Sequence, residues 1–504
     1  MPSNESITAG SDFLQLNIAD APVGAWAEWL AGQVRLAISD GRLAVGSRLP
    51  ATRLLAAELH VSRGVVTEAY LRLSEDGHVL GKGRGGTVVR AAPLSTRAAG
   101  PNPVGPLVPA ALFRAAPGAD IFETLRAVPA RVDLSPGLPD LTAFPRAAWL
   151  RAERRVLSDL PASALGYGDP AGTLALRFAV AHWLARNRGI RVGPDEVLIV
   201  AGVAQGLRLL AHLMHDEGIR EVAVEDPGSL GVRHHLWNSR LGTPPVTVDS
   251  RGLCVDELRA VGVPAVLLTP AHQFPTGVVL DGDRRRELAR WAAGGGLVIE
   301  DDYDAEHRYD RPPVPALRSM LAEQVFYLGS VSKLLAPALR VGWVVAPARY
   351  RRRLIEAKRD ADLGNATLPQ LVLAQLLGSG DMERQLRFVR RRHRRRRDAM
   401  LDAITAHLPG ALVQGAAAGL HLTVMFRDDF NDRELAAASL TCGVKVHPLS
   451  WYGQRRLPAG LVMGYAANTP ASIGDGVAAV GEALRSARLG AGGARAPLGY
   501  GGPG

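Results

Sequence analysis

The chain has 504 residues, 47 % hydrophobic and 21 % charged, with a formal net charge of +10. That length sets an expectation of two or three folding units, and the composition is that of a soluble globular protein. Two cysteines, Cys254 and Cys442, exclude a disulfide framework and lack metal-ligand spacing; they read as buried thiols in a reducing cytoplasm, with no metal site.

Residues 1–21 carry neither a charged n-region nor an apolar h-region, so they read as a flexible N-terminus and not as a signal peptide. No apolar stretch is long enough to span a bilayer, and no membrane partner is expected. Residues 22–90 read as one small domain. "APVGAWAEWLAGQVRLAISDGRL" places Trp26, Leu30, Val34, Ala37 and Ile38 on one helical face and stops at Gly41. "LPATRLLAAEL" turns Leu55, Ala56 and Leu59 inward. In "HVSRGVVTEAYLRLSEDG", Ser62 is the expected N-cap, Val66, Ala69, Tyr70 and Leu73 form a stripe, and Gly77 ends the helix. "HVLGKGRGGTVVR" follows as a two-stranded hairpin with a glycine-rich tip. Two short helices, a tight turn and a basic hairpin make a winged helix-turn-helix, whose third helix fits a major groove while the wing lies along the backbone. Arg63 stands off the apolar stripe in the first turn of that third helix, where a side chain reaches a base edge.

Residues 91–130 are rich in Ala, Pro and Gly and read as a linker. Residues 131–488 alternate strand-like runs ("EVLIVA", "EVAVED", "AVLLTP", "GLVIEDD", "VFYLGS") with helical patterns, which argues for an α/β domain with a mostly parallel sheet. Residues 489–504 read as a disordered tail. The run "RRRHRRRR", 390–397, continues into a helical pattern through Met400, Leu401 and Ile404, so its arginines are expected on the solvated side of a long helix.

Within the α/β segment, Lys333 follows a strand in "VFYLGSVSKLLAPALRVG". Schiff-base chemistry with pyridoxal phosphate needs such a lysine, a phosphate cradle, a carboxylate for the pyridinium nitrogen and a donor to the ring oxygen. "AGVAQGLRLL" supplies a cradle: Gly202 turns, and the backbone N–H groups of Val203 and Ala204 open a helix. Ser330 and Arg340 flank Lys333 and can add contacts to the same phosphate. In "LVIEDDYDAEHRY", Asp301 ends a strand and Tyr303 stands two residues on, the carboxylate and the phenol that the ring requires.

The N-terminal motifs "LPATR", "VSRGVV", "AYLRLSEDG" and "GRGGT" resemble the GntR family of bacterial regulators, which implies that Arg53, Arg63 and Thr67 face double-stranded operator DNA and that Lys82, Arg84 and Gly85 lie on the wing. From 131 to 485, "YGDPAG", "HQFPTG", "IEDDYD" and "SVSKLLAPALRVG" resemble a fold-type-I aminotransferase, and the two together resemble the MocR subfamily. The resemblance implies Lys333 as the lysine that carries the cofactor, Asp301 at the pyridine nitrogen, Tyr303 at the ring oxygen, and Ser330, Arg340 and Gly202–Ala204 at the phosphate. It also implies that Tyr167 reaches the phosphate of a neighbouring subunit, hence a homodimer, and that His272 and Gln273 occupy the place of an asparagine beside the ring. Departures concern the amino-acid partner. Val462, in "GLVMGYAANTP", stands where an arginine would hold a substrate carboxylate; Ser229 stands where an aromatic would stack, and Gly231 where a second arginine could stand, with Arg233 nearby. The expectation is a cytoplasmic transcription regulator that senses pyridoxal phosphate and controls vitamin B6 metabolism. An active aminotransferase, a regulator that senses an amine through the bound cofactor, and a DNA-binding protein with an inert second domain are the alternatives.

Overall fold

The computed structural model describes residues 14, 16–22, 24–40, 42–76, 78–81, 86–90, 109–114, 116–309 and 314–492, and the chain divides into two units, 1–107 and 108–504. In the first unit, α1 (Trp26–Ser39), α2 (Thr52–Glu58) and α3 (Arg63–Glu75) precede an antiparallel pair, β1 (Val79–Gly81) and β2 (Thr87–Val89). Leu30, Val34, Leu55, Val66, Ala69 and Leu73 are fully buried, as residues repeating at helical spacing along one face must be when three short helices share a core. The Tyr70 hydroxyl donates to the Pro50 carbonyl at 3.0 Å and Arg35 pairs with Asp76 at 2.6 Å, tying α3 to the loop before α2 and to α1. Two expectations fail locally. Trp26 opens α1 and stays exposed, and Ser62 takes the N-cap position without its hydroxyl making a capping bond.

The second unit begins earlier than its composition suggests. Two helices, α4 (Pro109–Arg114) and α5 (Ile121–Ala127), occupy the segment read as linker. The Phe113 ring stacks on Trp451 at 5.1 Å, and Ile121 and Leu125 are buried. These helices are one to two turns long, too short for a periodic signal to emerge from an Ala/Pro/Gly-rich background. At the other end, the last helix runs through Gly492 and so overlaps the segment read as a tail; residues 493–504 lie outside the described residues.

Beyond β3 (Val132–Asp133), α6 (Arg146–Asp159) and α7 (Leu174–Arg188), the chain alternates β4 (Val197–Val200), α8 (Val203–Asp216), β5 (Ala223–Asp226), α9 (Leu230–Asn238), β6 (Pro245–Asp249), β7 (Gly252–Leu253), α10 (Val255–Val261), β8 (Ala265–Leu268), α11 (Gly282–Ala293) and β9 (Leu297–Asp302). Then β10 (Val325–Ser330), β11 (Gly342–Val345) and the helices α12 (Arg351–Asp362) and α13 (Thr367–Gly378) complete the layer. The eight strands lie in the order β4-β11-β10-β9-β8-β5-β6-β7. The central run from β10 to β6 is parallel, while β11 pairs antiparallel with both β10 and β4. Every residue of β4, β9 and β10 is buried, because helices cover both faces of a parallel sheet. Close approach is enforced at Gly206 of α8, where a Cβ would come 2.8 Å from Leu328 of β10.

The long helix α14 (Asp381–His407) leads to a smaller antiparallel layer. It comprises β12 (Leu412–Gln414), β13 (His421–Met425), β15 (His447–Pro448) and β16 (Gly460–Gly464), with α15 (Asp432–Thr441) and α16 (Pro470–Gly492) alongside, while β14 (Val444–Lys445) pairs with β3. Cys254 is half-buried and Cys442, just past α15, is exposed, so the expectation of two buried thiols is not met.

If α4 belongs to the second unit's core, Phe113→Ala destabilises that unit by about 3 kcal/mol or more, the usual loss on emptying a buried aromatic site. Urea denaturation followed by Trp fluorescence checks this.

Candidate functional site

Strand ends converge on one edge of the large sheet. The register sets Val200, Gly342 and Ser330 in a row across β4, β11 and β10, with Asp301 of β9 opposite Leu328. In open α/β sheets this edge binds ligands, because helix N-termini and loops meet there. A cavity of about 720 Å³ opens beside it, lined among others by Asp301, Tyr303, Lys333, Arg340, Thr269 and Phe274.

Gly202 turns with φ 84°, a conformation L side chains rarely adopt, and α8 starts at Val203 with its first N–H groups unpaired inside the helix. The Arg340 guanidinium crosses this turn: its Nη2 donates to the Ala201 carbonyl at 2.6 Å, and a Cβ on Gly202 would sit 3.1 Å from Nη1. Arg340 holds a left-handed backbone, φ 50°, uncommon for a non-glycine residue. Helix N-terminus, Ser330 and guanidinium are thus brought together as an anion cradle.

The acids of "EDDYD" divide by strand alternation. Asp302 faces away from the cavity and accepts from Arg188 Nε at 2.5 Å and from the Tyr327 hydroxyl at 2.6 Å. Asp301 faces the cavity, is 7 % exposed, and its Oδ1 has no partner. Desolvation, with the neighbouring Asp302 and Asp304, pushes its pKa up to about 7 against the opposing charge of Lys333. A buried carboxylate oxygen lacking a donor is the position a pyridinium N–H fits. Lys333 donates to the Gly137 carbonyl at 2.5 Å, and burial lowers its pKa against the pull of Asp304 and Asp301, favouring the free amine that attacks an aldehyde.

Tyr303 has a support that the sequence did not single out in full. His272 Nδ1 lies 3.0 Å from both the Tyr303 hydroxyl oxygen and Asp304 Oδ2. His272 and Asp304, which also hydrogen-bonds the phenol, together hold the Tyr303 hydroxyl in place. Burial, followed by the nearby Asp304 and Asp301 charges, raises the Tyr303 pKa well above that of an ordinary phenol, so it remains a donor. Gln273 is a correction. It is 1 % exposed, its Nε2 donates to the Pro227 and Phe274 carbonyls at 2.8 and 2.6 Å, and its Oε1 accepts from Thr276. With its amide consumed in shaping the turn, Gln273 does not line the cavity; Phe274, one residue on, does.

Val462, the position expected to hold a substrate carboxylate, does not itself line the cavity. Val462 is fully buried in β16 opposite Thr423 and His447, and cross-strand partners share a face. His447 lines the cavity as a neutral ring, its pKa lowered to about 4 by burial. Ser229 lines the cavity and caps α9, accepting from Val232 N at 3.3 Å. Arg233 is committed elsewhere, donating to the Trp451 carbonyl at 2.8 Å. The opposite wall comes from α5, through Phe122 and Arg126, which were hidden within the apparent linker. Tyr167 is 95 % exposed and lies outside this cavity.

In the first unit, Arg53, Arg63 and Thr67 are exposed on the side of α2 and α3 away from the core. Arg63 Nε donates to Thr52 Oγ1 at 3.4 Å and Thr67 Oγ1 donates to the Arg63 carbonyl at 2.9 Å, so Thr52, absent from the sequence reading, helps orient Arg63. Lys82, Arg84 and Gly85 lie outside the described residues.

Known proteins match both units. The pattern of the family described as bacterial regulatory proteins, gntR family, matches residues 27–89, and that of aminotransferase class I and II matches 132–460. The HTH-type pyridoxine biosynthesis transcriptional regulator PdxR of Corynebacterium glutamicum is 31 % identical over 90 % of this chain and 95 % of its own. The probable rhizopine catabolism regulatory protein MocR of Rhizobium meliloti is 29 % identical over 91 % and 92 %. Among solved structures, an α-aminoadipate aminotransferase from Thermus thermophilus, complexed with a phosphopyridoxyl-leucine, superposes with a TM-score of 0.67 at 27 % identity, covering 76 % of this chain and 97 % of that one. The second unit is therefore a pyridoxal-phosphate fold, and the residues at its strand ends fit the cofactor.

Asp301→Asn removes a group whose folded pKa exceeds its unfolded value. Between about pH 4 and 7 the folded apo protein binds the extra proton, so this residue's contribution to stability falls as pH rises. The variant's apo stability is expected to gain on the native protein across that window, read as melting temperature against pH, while its affinity for pyridoxal phosphate drops at least tenfold. In the first unit, Arg63→Ala is expected to weaken binding of a specific operator by about 1–3 kcal/mol with helix content unchanged by circular dichroism.

Proposed function

Because the chain belongs to the MocR subfamily of GntR-type transcription regulators, winged helix-turn-helix proteins joined to an aminotransferase-like domain, we propose that its pyridoxal-phosphate site works as a sensor whose signal is the cofactor itself, in control of vitamin B6 metabolism. The observation that carries this reading is an imbalance within one cavity. The groups suited to the cofactor are present: Lys333, Asp301, Tyr303 and Arg340 line the cavity, and Ser330 and the Gly202–Ala204 turn lie close to Arg340's side of it. On the side of β15 the cavity instead presents a neutral His447, whose cross-strand partner Val462 is buried, and its arginine besides Arg340 is Arg126 of α5. An arginine fork is what a carboxylate needs there. The printed function of the Corynebacterium relative, pyridoxine biosynthesis regulation, points the same way.

Bound pyridoxal phosphate supplies an electrophilic aldehyde and an electron-withdrawing ring. Lys333 offers an amine that burial keeps reactive, Asp301 would hold a proton at the ring nitrogen, and Tyr303, backed by His272, would donate to the ring oxygen. Gly202–Ala204, Ser330 and Arg340 would neutralise the phosphate. A ligand that favours one geometry of the second unit shifts the spacing of paired DNA readers, and the coupling is reciprocal: DNA changes cofactor affinity by the same factor. Pairing of readers requires a homodimer. In support, Tyr167 is exposed together with Leu165, Leu174 and Phe178, large apolar side chains of the kind that a second copy would cover. Among the described residues no helix is long and apolar enough to cross a membrane.

Operator binding is measured at fixed salt while pyridoxal phosphate is titrated, with Lys333→Ala as control. A cofactor-dependent change of affinity lost in the variant supports the reading, and a native protein that takes up cofactor with no change in DNA affinity overturns it. Transamination of a panel of amino acids is expected to stay near background. Val462→Arg is expected to create measurable binding of α-amino acids, seen as a change in the bound cofactor's absorbance.

A further inference from the structure

The arginine run of α14 is mostly not a solvated face. Arg390 donates to the Glu306 carbonyl at 2.5 Å, Arg394 to the Tyr309 carbonyl, and Arg397 to the Ala416 carbonyl at 2.9 Å. Arg392 and Arg396 both pair with the buried Asp140, at 2.7 and 2.8 Å. His393 is fully buried against His307. These side chains clamp α14 to the surrounding loops, and their arginines are accounted for by structure.

Arg391 and Arg395 are not, and together with Arg387 they form an exposed line at four-residue spacing, about 6 Å per step along the helix. Like charges at this spacing repel, and acids nearby would normally be recruited to relieve them. The two acids that flank the line are already taken: Glu383 pairs with Arg186 at 2.8 Å and Asp398 with Arg397 at 2.6 Å. The line therefore keeps its full charge, and the groups that complement it are anions repeating at a similar spacing.

We propose that the Arg387–Arg391–Arg395 edge of α14 is a second DNA contact, holding duplex phosphates outside the sequence read by the winged helix. Arginine forks match phosphate oxygens in geometry and charge. A chain that already holds an operator through one unit presents flanking duplex to its other basic surfaces at high effective concentration, so even weak phosphate contacts are populated. The contact carries no base readout; it adds affinity and salt dependence. It rests on the N-terminal unit reading an operator, and the test separates the two.

The experiment uses the full-length, cofactor-loaded protein and two duplexes, the operator alone and the operator with long arbitrary flanks, with binding measured across salt concentrations. For the native protein the logarithmic salt slope is expected to steepen on the flanked duplex. In the triple variant Arg387→Gln/Arg391→Gln/Arg395→Gln that extra slope is lost, up to about 2.7 for three phosphates, so that native binding on the flanked duplex falls about 40-fold more than the variant's between 50 and 200 mM salt. Binding to the bare operator is expected to be equal in both proteins, and it alone reports on the winged helix. The triple Arg→Lys variant restores the slope, because phosphate attraction needs only the charge. Equal slopes for native and Gln variant on flanked DNA overturn the proposal, as does an equal loss on the bare operator. If the triple variant fails to retain cofactor absorbance, Arg391→Glu alone carries the same comparison: a slope reduced by about 0.9 or more supports the contact, and an unchanged slope overturns it.

Discussion

Burying a carboxylate at the end of a central strand without a full set of donors is expensive, and the second unit does this at Asp301. Of the four other acids between 300 and 306, three are given different solutions. Asp302 is answered by Arg188 and Tyr327 on the opposite face, Asp304 by His272, and Glu300 by the Leu317 and Arg318 amides. Asp301 alone is left facing open space with a lysine across it. The strained Arg340 turn, the Gly202 bend and the His272 brace surround this one unfinished electrostatic site, and a cationic ring with an anionic tail completes it.

The same cavity explains why an aminotransferase fold suits a regulator. A site that transaminates must grip cofactor and amino acid with comparable geometry, holding the second by its carboxylate. Here the cofactor half keeps its charged and hydrogen-bonding groups, while Val462 of β16 is buried outside the cavity lining and Arg233 is tied to a backbone carbonyl. On the reading proposed above, a lysine without a substrate grip would still capture the aldehyde reversibly and so report whether it is present. The cavity's second wall is α5, which follows α4 near the start of the second unit.

Much of this was legible in the residues. The stripes Leu30–Val34 and Val66–Ala69–Leu73 specify the first unit because a helical repeat leaves only one way to bury them. Lys333, Asp301, Tyr303 and Arg340 follow from strand ends and the needs of one cofactor, and the structure brings all four to one cavity. What escaped has physical reasons. Two short helices lost their signal in a linker-like composition. Gln273 and Phe274 are neighbours with opposite roles, and a turn between them decides which one faces the cavity. A block of seven arginines and a histidine has no periodicity of its own, so its division into structural clamps and a free edge could not be read along the chain.

The sequence by itself determined the two units, the sheet strands through their uninterrupted apolar runs, and the identity of the chemistry, since few residue sets other than lysine, carboxylate, phenol and an anion-binding turn serve an aldehyde cofactor. Tertiary structure decided the partners: which aspartate stays unpaired, which histidine braces the phenol and which arginines face outward. Local patterning follows from bonds between near neighbours, so it survives in one dimension. Pairing of buried charges depends on groups far apart in the chain, such as Arg188 with Asp302 or Asp140 with Arg396, and desolvation makes those choices matter only once the fold has closed around them.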